Sequence, residues 1–244
     1  VGRFNNGYKL FMPTEFMHGT YDQGHGAGLE DFWNKWISHP LFVGGFMWDF
    51  SDNAVVRTDK KGILDSDGSN GADGILGPHR EKDGSYYAVR EIWAPIKFKK
   101  LLITPSFNGE FLIENGYLYS SLNSCRMEYR VISAPSPLSD NEMKIIASGK
   151  VELPNINPSE VGRAKMDLPS NFFQGDILEL IAYDKDENEI CNWTWTIHYA
   201  DEYTARELAQ VSQEGKVRIK STPDKTTLSA NGVNVTFNCV TGYL

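Results

Sequence analysis

The hydrophobic residues of this chain change their spacing near residue 100. Before that point, short apolar runs alternate with helical spacing, whereas after it apolar residues tend to occupy every second position. A period of 3.6 residues indicates an amphipathic helix, and a period of two indicates a strand with one buried face. The chain has 244 residues, which is enough for two ordinary domains. We therefore expect an α/β part over residues 1–100 and an all-β part over residues 101–199.

The α/β part is predicted to begin with strand, helix and strand. The apolar runs at 9–15 and 43–50 predict two buried strands, and Pro13 indicates that the first one ends early or bulges there. Between them, apolar residues at i, i+3, i+4, i+7 and i+8 from Leu29 predict a helix that Pro40 ends.

A long polar loop and a second helix complete this part. The segment 51–85 is polar and rich in glycine, which predicts a loop, and 86–93 predicts a short helix before Pro95. Strands and helices in alternation imply parallel strands joined by right-handed crossovers.

The all-β part is predicted to be an antiparallel β-sandwich. Apolar runs at 177–183 and 190–197 flank the polar segment 184–188, as expected for a hairpin. Short strands at this spacing are typical of a sandwich. Beyond it, 200–215 is predicted as a polar linker able to form a helix, and 216–244 as the start of a further small β domain. We interpret both ends of the chain as cuts in a longer protein.

Composition excludes several classes of protein. Formal net charge is −8, and an acidic surface repels phosphate backbones, so nucleic-acid binding is not expected. The sequence contains no run of about 18 apolar residues, so a membrane span is not expected either. The cysteines number three, too few for a disulfide framework. The compartment stays open, with the periplasm, the extracellular space and the cytoplasm all compatible.

Glu15 is the first candidate for chemistry. It follows a predicted parallel strand, and α/β barrels place their catalytic groups at the carboxyl ends of such strands. A strand-end glutamate in a salt bridge is the structural alternative. Trp48 and Asp49 end the next predicted strand, where an indole could stack on the apolar face of a sugar ring.

Two glycine-rich segments resemble ligand-binding turns only weakly. In 24–28 the third glycine is misplaced for a dinucleotide turn, and eight residues separate Glu15 from Gly24, so a tight loop is favoured. The segment 65–74 does not follow the calcium-loop pattern of an EF-hand, because Asn70 stands where glycine is needed. Its oxygen ligands could hold a cation, but a solvated acidic turn is favoured.

Several segments together resemble family 2 glycoside hydrolases, the β-galactosidase-like enzymes. TEFMH at 14–18 resembles the nucleophile motif of that family, and GHGAG at 24–28 is similar to the turn that follows it. GGFMWDF at 44–50 resembles the motif of barrel strand 8, and 72–77 with 87–95 is similar to the stretch and helix that close the barrel. The order and spacing agree over residues 8–98, and 101–199 is similar to the immunoglobulin-like domain after the barrel.

The resemblance implies a fold and a set of site residues. Residues 1–100 would form the last two β/α units of a (β/α)8 TIM barrel, followed by an immunoglobulin-like β-sandwich. Glu15 would be the nucleophile of a retaining mechanism, and His18 and Trp48 would line the sugar subsite. Asp49 would belong to the same substrate-binding set and would brace its neighbours there. Asp73 matches a position where relatives often carry asparagine near a bound monovalent cation.

The expected function is that of a fragment of a retaining, exo-acting β-glycosidase. Its partners would be a carbohydrate and the remainder of the parent chain, which would supply the acid/base carboxyl from an earlier strand. No cofactor is required, with a monovalent or divalent cation as an option. Phe16 and Met17 replace the tyrosine and alanine of the family motif, and about three extra residues follow His18. β-Galactoside, β-glucuronide, β-mannoside and plant polysaccharide linkages therefore all stay open.

A protein of another class is the alternative. The chain could be a non-catalytic carbohydrate-binding or interaction module in which the β-sandwich does the binding.

Overall fold

The computed structural model describes residues 7–19, 24–68, 70–136, 139–209 and 215–244. The chain forms two compact units, one of Val1–Pro135 with Asp140–Ile197 and the other of Ser136–Ser139 with His198–Leu244. Among the described residues, strands outnumber helices, so the chain is mostly β.

The helices are short. The α-helices are α1 (Leu29–Ile37), α2 (Gly84–Ile92) and α3 (Ala200–Ala209). Single turns of 3₁₀-helix occur at Thr58–Lys60, Leu122–Ser124 and Phe172–Gln174. The strands are β1 (Val55–Arg57), β2 (Ile63–Asp65), β3 (Ile96–Phe98), β4 (Glu110–Asn115), β5 (Arg126–Ser133), β6 (Lys144–Glu152), β7 (Val161–Met166), β8 (Ile177–Tyr183), β9 (Glu189–Thr196), β10 (Arg218–Ser221), β11 (Lys225–Ala230) and β12 (Val233–Asn238).

The largest element of the first unit is a seven-stranded sheet in the order β3-β4-β7-β6-β5-β8-β9. Each neighbouring pair is antiparallel. β6 pairs with β5 along most of its length but with β7 only at Val151 and Glu152, so it links the two halves of the sheet. The ring of Phe98 on β3 lies 5.0 Å from Trp193 and 4.8 Å from Trp195 on β9. The two edge strands therefore meet, and the sheet curls into a half-barrel.

The core lies inside this curl. Its side chains come from alternate positions of strands such as β4, where Phe111 and Ile113 are buried while Leu112 is 41% exposed. This alternation is what a sheet with one buried face requires. The predicted strand at 177–183 coincides with β8, and 190–197 overlaps β9, so the hairpin prediction is confirmed.

One polar side chain sits in this core. Asn115 is fully buried, and its Nδ2 donates to the backbone carbonyls of Ser120 and Ile156 at 2.8 Å each. Its Oδ1 accepts from the backbone N–H of Tyr117 at 2.8 Å. A buried amide with these partners holds two loops against the end of β4.

A second, smaller core joins the two helices of this unit. Its buried members are Leu29, Ile75, Leu76 and Val89. The predicted helix after Leu29 coincides with α1, and the predicted helix at 86–93 corresponds to α2, so both are confirmed. The Nη2 of Arg90 on α2 contacts the Glu189 carboxylate, and its Nε donates to the Ile190 carbonyl at 3.0 Å. These contacts fasten α2 to β9.

The prediction of two continuous, buried strands in the α/β part is wrong. The segments at 9–15 and 43–50 lie side by side in parallel, but Phe11 and Phe42 form a single isolated bridge. Side chains such as Leu10 and Phe46 are 66% and 61% exposed. Parallel strands are stabilised by cover on both faces and neighbours on both sides, and the described residues supply neither.

The predicted loop at 51–85 contains regular structure that the sequence did not indicate. β1 and β2 form an antiparallel hairpin with the turn Thr58–Lys60 between them. The Arg57 guanidinium contacts the carboxylates of Asp59 and Asp65 at 2.7 and 2.6 Å, and these contacts hold the hairpin together.

The second unit consists of α3 and a three-stranded antiparallel sheet in the order β10-β11-β12. The predicted linker at 200–215 forms α3 in its first part, and residues 210–214 lie outside the described residues. None of the described residues of this unit is buried. In the described parts of the chain, no helix combines the length and the apolar character that crossing a membrane requires.

Replacing the buried amide tests this account of the first unit. We expect Asn115→Ala to lower the free energy of unfolding by about 2–4 kcal/mol, because the buried carbonyl of Ile156, the carbonyl of Ser120 and the N–H of Tyr117 all lose their partner. Asn192→Ala, at an exposed position of β9, is the matched control and should cost under about 0.5 kcal/mol. Urea unfolding followed by circular dichroism measures both, and equal losses would contradict the account.

Candidate active site

The site is built on the two parallel segments. The backbone N–H of Phe11 donates to the Leu41 carbonyl at 2.8 Å, and the N–H of Val43 donates back to Phe11 at 3.2 Å. Further along, Phe46 donates to Pro13 at 3.0 Å and Trp48 to Phe16 at 2.9 Å. The segments therefore run together in one direction to their carboxyl ends. This arrangement brings residues that are about 30 positions apart to the same edge.

Glu15 and His18 lie at the carboxyl end of the first segment. Oε1 of Glu15 accepts a hydrogen bond from Nε2 of His18 at 3.1 Å. The side chain of Glu15 is 57% exposed and that of His18 is 24% exposed. An exposed carboxylate that is oriented by a histidine N–H can act as a nucleophile or as a hydrogen-bond acceptor.

Trp48 and Asp49 lie at the carboxyl end of the second segment. The indole of Trp48 is 45% exposed, and the peptide bond that joins it to Asp49 is cis. Oδ2 of Asp49 accepts from Nδ2 of Asn53 at 3.0 Å. Oδ1 of Asp49 is buried and has no hydrogen-bond partner among the described residues. The sequence analysis missed Asn53, although it follows the strand-8-like motif by only three residues.

The backbone of Asp73 ties the two carboxyl ends together. Its carbonyl accepts from the N–H of Gly19 at 2.9 Å and from the N–H of Asp49 at 3.0 Å. The N–H of Ile75 then donates to the Asp49 carbonyl at 3.2 Å. Asp73 thus positions the Glu15 segment against the Trp48 segment through its main chain. We call the backbone of residues 73–75 the strap. The sequence analysis did not indicate this contact.

The side chain of Asp73 is 7% exposed, and its Oδ1 has no hydrogen-bond partner among the described residues. In the same residues, no group of three or more His, Cys, Asp or Glu side chains is arranged to hold a metal ion. A buried carboxylate oxygen without a partner is compatible with a cation ligand. The cation role of Asp73 stays a prediction.

Glycines make the close approach at Asp73 and Gly74 feasible. A Cβ atom at Gly19 would lie 2.2 Å from the Gly74 carbonyl oxygen. A Cβ atom at Gly74 would lie 2.3 Å from the Asp52 nitrogen and 2.4 Å from backbone atoms of Ser51. Any side chain at these positions would push the segments apart.

Asp52 anchors the same strap. Its Oδ1 accepts from the N–H of Gly74 at 2.9 Å. Burial and the negative charges of Asp83 and Asp49 nevertheless raise the pKa of the Asp52 carboxyl above its usual range. The Asp52 carboxyl therefore ionises less readily than an isolated aspartate does.

A largely apolar cavity of about 420 Å³ adjoins His18. Phe16, Met17, Phe32 and Trp36 contribute its apolar wall, and the glycine-rich turn closes one side. Gly26 has a φ of +84°, and a Cβ atom there would lie 3.2 Å from the Met17 sulfur. The turn thus packs tightly beside the site. This is the role that the sequence analysis favoured for it over nucleotide binding.

The sequence is similar to parts of several known enzymes. No protein-family profile matches the chain. The chain is 25% identical over 154 residues to Beta-galactosidase 2 of Enterobacter cloacae, covering 59% of this chain and 14% of that protein. It is 22% identical over 198 residues to Beta-galactosidase BgaC of Bifidobacterium adolescentis, covering 76% of this chain and 17% of that protein.

A shorter stretch is more similar. Over 56 residues the chain is 43% identical to the Beta-galactosidase large subunit of Lactobacillus acidophilus, which is 22% of this chain and 8% of that protein. The chain spans under a fifth of the length of each of these curated relatives. At low identity, the matches support a glycosidase-like family.

Solved structures give a weaker likeness. The exo-chitosanase CsxA of Amycolatopsis orientalis matches 82% of this chain and 23% of its own length at 11% identity, with a TM-score of 0.31. Beta-glucosidase 3B of Thermotoga neapolitana matches 44% of this chain and 16% of its own length, with a TM-score of 0.25. At these scores the likeness carries no argument.

Substituting one glycine tests the strap at Asp73. We expect Gly74→Ala to lower the free energy of unfolding by about 1–3 kcal/mol, because the new methyl group overlaps the backbone of Ser51 and Asp52. Gly28→Ala is the control, since a Cβ atom there would meet only Phe32 at 3.9 Å. Thermal unfolding of both variants measures the difference, and an unchanged midpoint for Gly74→Ala would contradict the strap.

Proposed function

We propose that this chain is part of a retaining β-glycosidase resembling family 2, and that Glu15 is its nucleophile. The observation that carries the proposal is the placement of Glu15 and His18 beside Trp48 and Asp49, at the carboxyl ends of two adjacent parallel segments. Enzymes built on α/β barrels place their catalytic groups at that end of the strands. The partial matches to β-galactosidases support the same class.

The barrel part of the proposal is supported by connectivity. The two parallel segments are joined through α1, and α2 follows the second, as in two successive β/α units. Exposed apolar side chains along these segments, Leu10, Met12, Val43 and Phe46, are the surface that further barrel strands would cover. The remainder of the parent chain is the proposed cover.

The immunoglobulin-like part is supported by strand order. If β3 to β9 are lettered A to G in chain order, the sheet reads A-B-E-D-C-F-G. This is the order obtained when the ABED and CFG sheets of an immunoglobulin fold are joined between D and C. The pairing of β5 with β6 makes that joint.

The mechanism requires two carboxyl groups about 5–5.5 Å apart. The carboxylate of Glu15 attacks the anomeric carbon while an acid protonates the leaving oxygen, and the glycosidic C–O bond breaks. Water, deprotonated by the same second group, then attacks the anomeric carbon and releases Glu15. In our proposal the second carboxyl group comes from an earlier strand of the parent chain.

The neighbours of Glu15 have separate roles in this proposal. His18 orients the carboxylate of Glu15 through its hydrogen bond, so that one oxygen faces the sugar. Trp48 offers an exposed indole face on which the apolar side of a pyranose can stack. Asp49, held by Asn53, braces this end of the site and can accept a sugar hydroxyl.

Specificity for the sugar is set by the wall beside His18. The family motif has tyrosine and alanine where this chain has Phe16 and Met17, and both side chains line the apolar cavity. A phenylalanine cannot donate the hydrogen bond that a tyrosine can. β-Galactosides are the first substrates to test, with β-glucuronides, β-mannosides and plant polysaccharide linkages as alternatives.

Covalent trapping tests the role of Glu15. A 2-fluoro sugar with a good leaving group slows both chemical steps and lets the glycosyl-enzyme accumulate. In the full-length parent, peptide mapping should place the label on the peptide that contains Glu15, and Glu15→Gln should abolish labelling. Asp49→Asn is the matched control, and it should reduce labelling without moving it. A label on Asp49 or on any upstream carboxylate would overturn the assignment, as would inversion of product stereochemistry.

Activity of the 244-residue chain tests the need for the second carboxyl group. We expect no measurable hydrolysis of nitrophenyl β-glycosides, because loss of a general acid alone typically costs about 10²–10⁴-fold in rate. Purified chain is assayed against a panel of sugars beside its Glu15→Gln variant. Turnover above buffer that the variant lacks would contradict this expectation.

A further inference from the structure

A second cavity lies between the helices and the edges of the curled sheet. It measures about 370 Å³, which is within the range of small-molecule sites. α1 and α2 form one wall, and β3 and β9 form the other. None of Glu15, His18 and Trp48 lines it.

The sheet side of this groove is aromatic. Trp193 and Trp195 stand two residues apart on β9, so they share one face, and both are half-buried. Phe98 meets them edge to face, with an interplanar angle of 67° for each pair. Both indoles also pack against the main hydrophobic core, which fixes their orientations.

The helical side is acidic. Glu30 on α1 and Glu91 on α2 line the groove, and both are exposed. Their carboxylates form no hydrogen bond with the described residues, and both lie close enough to Lys97 to interact with its charge. Ionised carboxylates are strong acceptors for hydroxyl groups.

Lys97 is already engaged. Its Nζ contacts the Ile92 carbonyl and donates to the Glu91 carbonyl at 3.3 Å, at the carboxyl end of α2. Burial lowers the pKa of this ammonium group, and the nearby Glu30 opposes that effect. Lys97 therefore contacts the carboxyl end of α2 at one side of the groove. Its positive charge disfavours binding of a cationic ligand there.

The helical wall and the sheet wall of the groove are held together by contacts within the protein. Arg90 on α2 holds Glu189 and the Ile190 carbonyl on β9, as described above. A site whose walls are already fixed loses little conformational freedom on binding.

We propose that this groove binds a neutral pyranoside of an oligosaccharide, with sugar rings stacked on Trp193 and Trp195 and hydroxyl groups donated to Glu30 and Glu91. Sugars present apolar C–H faces together with clusters of hydroxyl donors, which matches an aromatic wall opposite free carboxylates. The groove uses no residue of the proposed catalytic site. It therefore goes beyond the proposed hydrolysis and can hold a chain of sugars whether or not Glu15 is a nucleophile.

Titration of the 244-residue chain with β-1,4-linked tetrasaccharides of galactose and of glucose tests the groove. Isothermal calorimetry should give a dissociation constant on the order of 1 mM for at least one of them. Trp195→Ala should weaken binding by roughly 10-fold or more, since buried tryptophans contribute much of the energy of a contact. Because that change also removes core packing, a second test uses the double variant Glu30→Gln and Glu91→Gln. We expect that variant to fold normally by circular dichroism and to bind about 10-fold more weakly, because it loses charged acceptors.

Trp48→Ala separates the two sites. If the groove binds the sugar, this variant keeps a saturable binding event that the groove variants lose, whatever covalent trapping shows for Glu15. Loss of binding in Trp48→Ala but not in the groove variants would overturn the proposal, as would the absence of saturable binding by either tetrasaccharide. Binding of a lysine-rich peptide at the groove in place of both sugars would also overturn it.

Discussion

The carbonyl oxygen of Asp73 is the contact on which the candidate site depends. It accepts from Gly19 and from Asp49, the residues that follow the two parallel segments, and so sets the distance between their ends. Glycine at 19 and 74 is needed because the backbones approach too closely for a Cβ atom. Without this strap, Glu15 and Trp48 would be held together only by the hydrogen bonds earlier in the segments.

The first unit has two cores that differ in completeness. The curled sheet encloses a large core, and side chains of its two edge strands make contact where Phe98 meets Trp193 and Trp195. The helical part has four buried hydrophobic residues and leaves many large apolar side chains exposed. Arg90 bridges the two parts through β9, so the sheet supports the helices that frame the candidate site. Among the described residues, the sheet is therefore well packed and the candidate site beside it is weakly packed.

Sequence similarity indicates the class of protein, and the geometry shows where the candidate residues lie. The matches to β-galactosidases are partial and of low identity, so by themselves they indicate a glycosidase-like family and no more. The geometry adds that Glu15, His18, Trp48 and Asp49 lie along one edge. The finer assignments, a retaining nucleophile and a barrel strand for each segment, are proposals that the trapping experiment addresses.

The sequence by itself determined the elements whose side chains repeat with a clear period. It placed α1, α2 and β8 because one buried face, whether of a helix or of a strand, leaves its spacing in the order of apolar residues. It also singled out Glu15 and Trp48 through their motifs. Only the tertiary structure decided the curl of the sheet, the hairpin at 55–65 and the strap at Asp73. Those features rest on backbone hydrogen bonds and on contacts between distant positions, which leave little or no periodic signal along the chain. The exposure of the predicted strands was decided in the same way, because burial depends on what lies beside a strand and not on its own residues.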